Sequence, residues 1–408
     1  MTDDLGLFRD TTDRAEQRRP PQRTDGRRAR RQIRERRRRR VVLCTVVAVL
    51  VLTIGGVLFG VRELRAWRAI PDFAGAGGPE AVVEVEDGQS LTAIGATLVR
   101  RHVVASVRAF TIAADADARA KAVQPGFYQL RERMSGSAAV ARLQEPAARV
   151  GHLEIRGGEQ LDNVELPTGT TVPGLLTEIS RASCAMIAGV GTCVGPEDLR
   201  AAMGQTDLKA LGVPSWALDP LSRVEPRRRL EGLLVPGNYD VRPGSSAVEL
   251  LGQVISTSGA RLLAGGFPAS AVATGRSAYE VLVIASVIER EAIAPDFGRV
   301  SRVIYNRLAA GMPLQMDSTI NYPLDRQEAG TSDADRARPG AYNTYINVGL
   351  PTSPIGSPSE AAIAAALNPE PGPWRYFVKC QKDGASCFSV TREEHDAAVR
   401  DAAARGVF

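Results

Sequence analysis

The sequence predicts an α+β protein in which a disordered tail and one transmembrane helix precede a small module and a larger domain. Three observations support this fold class. An uncharged apolar run at 41–61 follows a cluster of arginines, a strand–turn–helix pattern begins near residue 80, and strands are interspersed with amphipathic helices from residue 149 onward. With 408 residues, 44% of them hydrophobic, the chain can form two or three domains.

The first 40 residues carry an unusual charge. They hold fifteen Arg, no Lys and seven acidic residues, a net charge of +8, so the remainder carries about −3 of the total +5. With almost no aliphatic side chains, residues 1–40 cannot bury enough apolar surface to offset the entropy of ordering, and we expect them to be disordered. A nucleic-acid-binding arm is the alternative interpretation. The position of the arginines directly before the apolar run favours a topology signal, and we expect no nucleic acid partner.

Residues 41–61 form the predicted transmembrane helix. Twenty-one uncharged residues rise about 1.5 Å each and therefore span a hydrocarbon core of roughly 30 Å. The arginines on the N-terminal side place that end in the cytoplasm and the C-terminal bulk outside. A cleaved signal peptide fits poorly because the preceding basic region is 40 residues long. Residues 62–79, rich in Ala and Gly, are predicted to be a flexible linker in a single-pass membrane protein.

Cysteine usage agrees with an extracytoplasmic location. Cys44 lies in the apolar run, and the other four form two close pairs, Cys184 with Cys193 and Cys380 with Cys387. The second pair brackets a turn between two strand-like segments, where a disulfide is geometrically easy and persists in an oxidising compartment. Zinc is the competing interpretation, but neither pair has the C-x-x-C spacing and no His lies near a second ligand. We expect disulfides and no metal.

Residues 80–148 are predicted to form a small β-α-α-β-α module. A strand ends at Asp87–Gly88, and Ser90 can cap a helix that carries Leu91, Ile94 and Leu98 on one face. The stretch Asp87-Gly88-Gln89-Ser90-Leu91 resembles the opening of LysM-like glycan-binding modules. A spacer that holds the next domain away from the membrane is the alternative interpretation.

The larger domain, 149–408, begins with a less informative stretch. We expect a strand at 152–155, helices at 172–181 and 196–211, and a loop over 214–229. The three arginines 227–229 are interpreted as a solvated charge run.

A single carboxylate, Glu231, then interrupts the apolar sequence Leu-Glu-Gly-Leu-Leu-Val-Pro-Gly at 230–237. Burial among apolar neighbours raises the pKa of a carboxylic acid toward neutrality, which suits a general acid. A strand-edge Glu that faces water is the competing interpretation. The helix predicted over 279–292 adds Glu289 and Glu291 at opposite borders of its apolar stripe. Either could line a cleft, or both could face water.

Five elements in this order resemble the YceG-like, MltG-type endolytic murein transglycosylases. They are Leu230-Glu231-Gly232 through Tyr239, Ala285 through Glu291, Asn306-Arg307-Leu308, Leu314 through Thr319, and Tyr342 through Tyr345 with Gly349-Leu350-Pro351. The resemblance implies that Glu231 is the catalytic acid/base. Val235, Gly237 and Asn238 depart from the pattern of the family, which usually has Phe before the proline and Asp-Thr after it.

The resemblance also implies a mechanism and a substrate. Glu231 would protonate the glycosidic oxygen of peptidoglycan and then accept the proton of the muramic acid C6 hydroxyl, leaving a 1,6-anhydro end. Gln315, Asp317, Asn343 and Tyr345 are expected to bind the sugar strand, with Glu289 and Tyr239 supporting the site from behind. No cofactor is implied. Peptidoglycan synthases or division proteins are the implied partners.

Two other functions remain open at this stage. One is a glycan-binding or division-scaffold protein whose catalytic site has decayed, as the departures at Val235 and Gly237 would allow. The other is a muramidase hydrolase that uses two carboxylates, Glu231 with Glu289 or Glu291, and that would release reducing ends in place of anhydro ends.

Overall fold

The computed structural model describes residues 41–61, 70–324 and 331–407. The predicted disordered tail and residues 62–69 of the predicted linker lie outside the described residues. Helix α1, Val41–Val61, belongs to a unit of its own, and it is long and apolar enough to cross a membrane. The helix predicted over 41–61 is therefore confirmed.

The second unit, Ile70–Phe408, contains two separate hydrophobic cores, and the first belongs to the small module. Strands β1, β2 and β3 form an antiparallel sheet in that order, with three helices beside it. The predicted β-α-α-β-α order is confirmed. The elements are β1 (Glu80–Val85), α2 (Leu91–Arg100), α3 (Val107–Asp115), β2 (Gly126–Arg131), α4 (Gly136–Leu143) and β3 (Arg149–Val150).

Serine caps fix the helices of the module. The Ser90 side chain accepts from the N–H of Ala93, and Ser106 and Ser135 cap α3 and α4 in the same way. Ile94 and Leu98 are buried, as their spacing on one face predicts.

Residues 71–79 are hydrogen-bonded to the module, in contrast to the flexible linker that their composition predicts. The N–H of Gly78 donates to the Glu132 carbonyl at 2.7 Å, and the Gly136 N–H donates to the Asp72 carboxylate at 2.9 Å. Their backbone groups find partners on the module, so this part of the segment is held in place.

The larger domain is mostly helical, with short antiparallel strand pairs β4–β9, β5–β6, β7–β8 and β10–β11. Its elements are β4 (His152–Ile155), β5 (Val164–Glu165), β6 (Thr171–Val172), α5 (Leu175–Ala182), β7 (Met186–Ile187), β8 (Val190–Gly191), α6 (Pro196–Gln205), α7 (Ser215–Leu221), β9 (Gly237–Asp240), α8 (Ala247–Ala264), α9 (Ala278–Glu291), α10 (Phe297–Ala309), α11 (Asp317–Asn321), α12 (Asp333–Ala337), α13 (Glu360–Leu367), β10 (Tyr376–Lys379), β11 (Ser386–Ser389) and α14 (Arg392–Ala404).

Both predicted disulfides are present. Cys184 and Cys193 close the loop that carries the β7–β8 hairpin, and Cys380 and Cys387 bridge the β10–β11 turn. The first hairpin also reaches the small module, because the N–H of Ala188 donates to the Glu80 carbonyl at 3.0 Å.

Two predictions in the larger domain are wrong in detail. The tract 214–229 contains α7, although Pro220 lies inside that helix. The arginine run is not simply solvated, since Arg228 is 4% exposed and its guanidinium lies 4.4 Å from the Tyr322 ring centroid. Helix α14 follows the β10–β11 hairpin and begins with a capping box at Thr391.

Helix α9 is the centre of the larger domain. Tyr279 and residues 281–288 are all buried, and α10 and α13 pack against the helix. Its last turn carries Glu289, Arg290 and Glu291 out of the core, where three loops converge. Glu231 lies among these loops.

Candidate active site

Glu231 lies in a tight turn between buried leucines. The turn follows a short 3₁₀ segment at 226–228, and Leu230, Leu233 and Leu234 are all at most 2% exposed. Gly232 has φ +72°, and a Cβ there would lie 2.3 Å from the Cβ of Pro354. The turn is thus pressed against the 352–358 loop, and it is not the strand edge of the competing interpretation.

The Glu231 carboxylate is 1% exposed and is bonded through one oxygen. Its Oε2 accepts from the Leu161 N–H at 3.2 Å and from the Tyr322 hydroxyl at 2.9 Å. Oε1 is buried and has no hydrogen-bond partner among the described residues. In this conformation Oε1 is therefore closed to solvent.

Burial raises the pKa of Glu231 to about 7, because the charged form loses its hydration. The bonds from Leu161 and Tyr322 and the charge of Arg228 lower the pKa, but by less than burial raises it. Near neutral pH the side chain therefore populates both protonation states, which suits a group that first donates a proton and later takes one back. The predicted burial and direction of the pKa shift are confirmed.

The loops around Glu231 are tied to one another by their backbones. The Gly158 N–H donates to the Ser357 carbonyl at 2.8 Å, and the Ser357 hydroxyl donates to the Leu234 carbonyl at 2.6 Å. The Ile355 N–H in turn donates to the Ser286 hydroxyl of α9 at 3.0 Å. These bonds place the segments 157–161, 230–235 and 352–359 on the end of α9.

The two carboxylates of α9 bond to different loops. Glu289 accepts from the Ser359 N–H at 3.0 Å, at the start of α13, and Glu291 accepts from the Ser318 N–H at 3.1 Å, in the first turn of α11. Burial raises the pKa of Glu291. Each therefore fixes a helix start. Among the hydrogen bonds of the described chain, neither meets Glu231, so the supporting role of Glu289 remains a prediction.

Asp317 and Tyr345, both predicted to bind the sugar strand, are brought together. The Tyr345 hydroxyl donates to Oδ1 of Asp317, which also accepts from Thr331 Oγ1 at 2.7 Å. Arg336 Nη2 lies 3.9 Å from the other Asp317 oxygen. The result is a polar cluster at the start of α11.

Asn343 and Gln315 occupy contrasting environments beside that cluster. Asn343 is 5% exposed, and its amide nitrogen donates to the carbonyls of Arg336 and Arg338 at 2.9 Å and 2.7 Å. Gln315 is exposed in a left-handed conformation, with φ +52°. Contact of either side chain with a sugar remains a prediction, and Asn343 in this structure holds its own loop.

Packing accounts for Gly237, one of the unusual residues near Glu231. The Tyr239 hydroxyl donates to the Val235 carbonyl, and Arg261 lies 4.4 Å from the centroid of the Tyr239 ring. At Gly237, which has φ +142°, a Cβ would lie 1.4 Å from Nη1 of Arg261. Gly237 thus leaves space for the arginine that braces this turn, and Tyr239 supports the turn as part of the core.

Sequence reasoning missed three groups that face Glu231. They are Tyr322, the Leu161 backbone N–H and Arg228. Tyr322 follows α11 directly, close to the predicted Asp317, so a tyrosine near that motif was the available signal. The Leu161 contact uses backbone alone, which gives no signal in the residue types.

Two cavities lie at the small module, away from Glu231. One, of about 600 Å³, is lined by Tyr128, Gln144, Arg149 and His152 among others. The other, of about 780 Å³, lies between Glu86 and Asp87 of the module and Gln253 of α8.

Comparisons with known proteins agree on one family. The model of the YceG-like family matches residues 83–401. An endolytic murein transglycosylase of Bacillus subtilis (strain 168) is 25% identical over 319 residues, which cover 78% of this chain and 83% of that protein. An endolytic murein transglycosylase of Streptococcus pneumoniae serotype 2 (strain D39) is 30% identical over 181 residues, 43% of this chain and 32% of that longer protein.

A solved structure supports the same relationship. The crystal structure of a YceG-like protein from Listeria monocytogenes superposes with a TM-score of 0.52 at 25% sequence identity. The match covers 78% of this chain and 98% of the Listeria protein.

Proposed function

This chain belongs to the YceG-like family and is a lytic transglycosylase of peptidoglycan, and we propose that it uses Glu231 to cut the MurNAc–GlcNAc bond of nascent glycan strands. One observation carries the assignment of the acid. Glu231 is fully buried, has a pKa of about 7 and keeps one oxygen without a hydrogen-bond partner among the described residues. A carboxylic acid in that state can donate a proton near neutral pH.

The reaction needs one carboxyl group because the substrate supplies the nucleophile. Glu231 gives its proton to the glycosidic oxygen, and the bond from that oxygen to the MurNAc C1 breaks. The MurNAc C6 hydroxyl attacks C1, and the Glu231 carboxylate takes the hydroxyl proton. The products are a GlcNAc hydroxyl end and a 1,6-anhydro-MurNAc end, with Glu231 protonated again and no water consumed.

The sugar strand would lie along the α11 side of Glu231. Gln315, Asp317, Asn343 and Tyr345 are the proposed binding residues, and the Asp317–Tyr345 pair gives this face hydroxyl and carboxylate groups within reach of each other. Sugar hydroxyls bind to such groups, and an exposed amide such as Gln315 suits an N-acetyl group. Glu289 and Tyr239 would hold the loops around Glu231 in position.

We further propose that α1 anchors the protein in the cytoplasmic membrane with its N-terminus inside. The arginines before residue 41 support this orientation. The two disulfides support an extracytoplasmic location for the enzyme, where nascent peptidoglycan lies. Peptidoglycan synthases or division proteins are the proposed partners, and a glycan-binding role is proposed for the LysM-like module.

Analysis of the reaction products tests this function. Full-length protein in detergent micelles is incubated with uncrosslinked glycan strands in water labelled with heavy oxygen, and the fragments are identified by mass spectrometry. We expect anhydro-MurNAc ends that contain no heavy oxygen, because the nucleophile comes from the sugar.

Two results of that experiment would contradict the proposal. Reducing ends that carry heavy oxygen would show hydrolysis by a two-carboxylate site. Strands that bind but keep their length would show a non-catalytic glycan-binding protein.

A further inference from the structure

Tyr322 lies directly against the proposed catalytic acid. Its ring is 1% exposed, and its hydroxyl donates to Oε2 of Glu231 at 2.9 Å. The Arg228 guanidinium lies 4.4 Å from the ring centroid, and the Tyr342 ring is tilted at 60° with its centroid at 4.9 Å. The ring is therefore held on two sides, which fixes the direction of the hydroxyl.

The backbone of Tyr322 is fixed as well. It follows α11, whose first turn is held by the bond from the Ser318 N–H to Glu291 of α9. The hydroxyls of Thr319 and Thr344 lie 2.9 Å apart and join α11 to the 342–345 loop. These contacts hold Tyr322 against Glu231, although the two residues are 91 positions apart in sequence.

We propose that Tyr322 is the positioning residue of the catalytic acid. Its hydroxyl holds Oε2 of Glu231, so Oε1 is the oxygen that exchanges the proton with the glycan. The inference rests on the proposed function, in which Glu231 is the acid. Of the two oxygens of this carboxylate, Oε1 has no hydrogen-bond partner among the described residues.

The hydrogen bond also favours the charged form of Glu231, so it keeps the acid from becoming too weak to donate. Burial raises the pKa of Tyr322 itself well above its ordinary value, which keeps the phenol protonated and able to donate. Among the charged groups on the packed elements, Asp162 acts to raise the pKa of Glu231 and Arg228 acts to lower it. The charge of Glu231 in turn acts to raise the pKa of Tyr279, Arg290 and Tyr342.

The Tyr322→Phe variant tests the positioning role. The rate of anhydro-ended product formation by full-length protein in micelles is measured against pH. Activity falls as Glu231 ionises, so the wild type has a basic limb near pH 7. Loss of a hydrogen bond to the carboxylate moves that limb upward by about one pH unit. Because the Glu231 carboxylate is no longer held in one orientation, the rate on the plateau of the pH profile falls by about tenfold or more.

Tyr342→Phe is the matched control. Its hydroxyl lies 2.6 Å from the Ser353 hydroxyl, so its removal deletes a buried phenol of the same aromatic cluster without deleting a bond to Glu231. We expect the basic limb of this variant to stay at the wild-type pH.

A second variant keeps the test decisive if Phe disturbs folding. Replacement of Tyr322 by 3-fluorotyrosine retains the ring and makes the hydroxyl a stronger donor, so the limb should move to lower pH. If both Tyr322 variants show the basic limb of the pH–rate profile at the same pH as the wild type, the positioning role is overturned. Failure of the wild type to form anhydro ends would instead overturn the proposed function, so the two failures are distinguishable.

Discussion

Glu231→Gln is expected to reduce the formation of anhydro-ended glycan by about a thousandfold while the protein stays folded. The amide oxygen can still accept from the Leu161 N–H and the Tyr322 hydroxyl, so the local bonds persist. The amide cannot give a proton to a glycosidic oxygen. The rate is measured by mass spectrometry of the product ends, and a Gln variant that retains more than about a tenth of the wild-type rate would contradict the assignment.

The same substitution should stabilise the protein at alkaline pH. Burial raises the pKa of Glu231 from 4.5 to about 7, so between these values the folded state binds more protons than the unfolded chain. The free energy of unfolding therefore falls as pH rises through this range, by about 3 kcal/mol in total. The Gln side chain does not ionise, so the Glu231→Gln variant does not lose this part of the free energy of unfolding as pH rises.

Thermal unfolding of wild type and variant at pH 5 and pH 8 measures this effect. The melting temperature of Glu231→Gln should exceed that of the wild type by several degrees at about pH 8, and the difference should shrink toward about pH 5. Glu249→Gln is an opposite-sign control, since bonds from Ser246 lower the pKa of exposed Glu249. That variant should lose stability relative to wild type at neutral pH, with a smaller loss in acid. Equal pH dependence in wild type and Glu231→Gln would show that Glu231 is not held in its protonated form.

Gly232→Ala should destabilise the protein and inactivate it together. The residue has φ +72°, and the new Cβ would lie 2.3 Å from Cβ and 2.6 Å from Cγ of Pro354. A proline ring cannot rotate out of the way, so the 230–235 turn must shift and carry Glu231 with it. We expect a loss of at least about 3 kcal/mol in the free energy of unfolding and about a hundredfold loss of activity.

Gly275→Ala provides the matched control for this change. Gly275 has nearly the same φ, +71°, but a Cβ there meets nothing within 4 Å. The alanine is disfavoured only by the left-handed backbone conformation. We therefore expect a loss of about 1 kcal/mol in the free energy of unfolding, with activity retained. Chemical unfolding and the product assay compare the two variants. Equal losses of stability in both would show that Pro354 does not fix the turn.

Local sequence patterns predicted much of this structure. Ser90 caps α2 as its sequence position predicts, because capping depends on a few adjacent residues. Both cysteine pairs also form the expected disulfides. The leucine-rich stretch by itself left Glu231 open between burial and exposure to water, and the structure shows that it is buried.

The misses have physical causes in tertiary structure. Pro220 and its neighbours indicated a loop, yet the packing of Ala217 and Leu221 into the core sustains a short helix there. Arg228 looked solvated because three arginines in a row usually are, but the Tyr322 ring provides a buried partner. Sugar binding by Asn343 stays a prediction, and the two carbonyls that its amide reaches were not visible in the sequence.

The most direct measurement is the infrared carbonyl band of protonated Glu231, identified as the band that Glu231→Gln removes. The band is followed in full-length protein from about pH 5 to about pH 9, alongside the rate of anhydro-ended product formation. We expect the band to disappear with a midpoint at about 7, with the rate falling over the same range. A midpoint near the ordinary value of 4.5, with a rate that is constant through neutral pH, would contradict the role of Glu231 as the neutral catalytic acid.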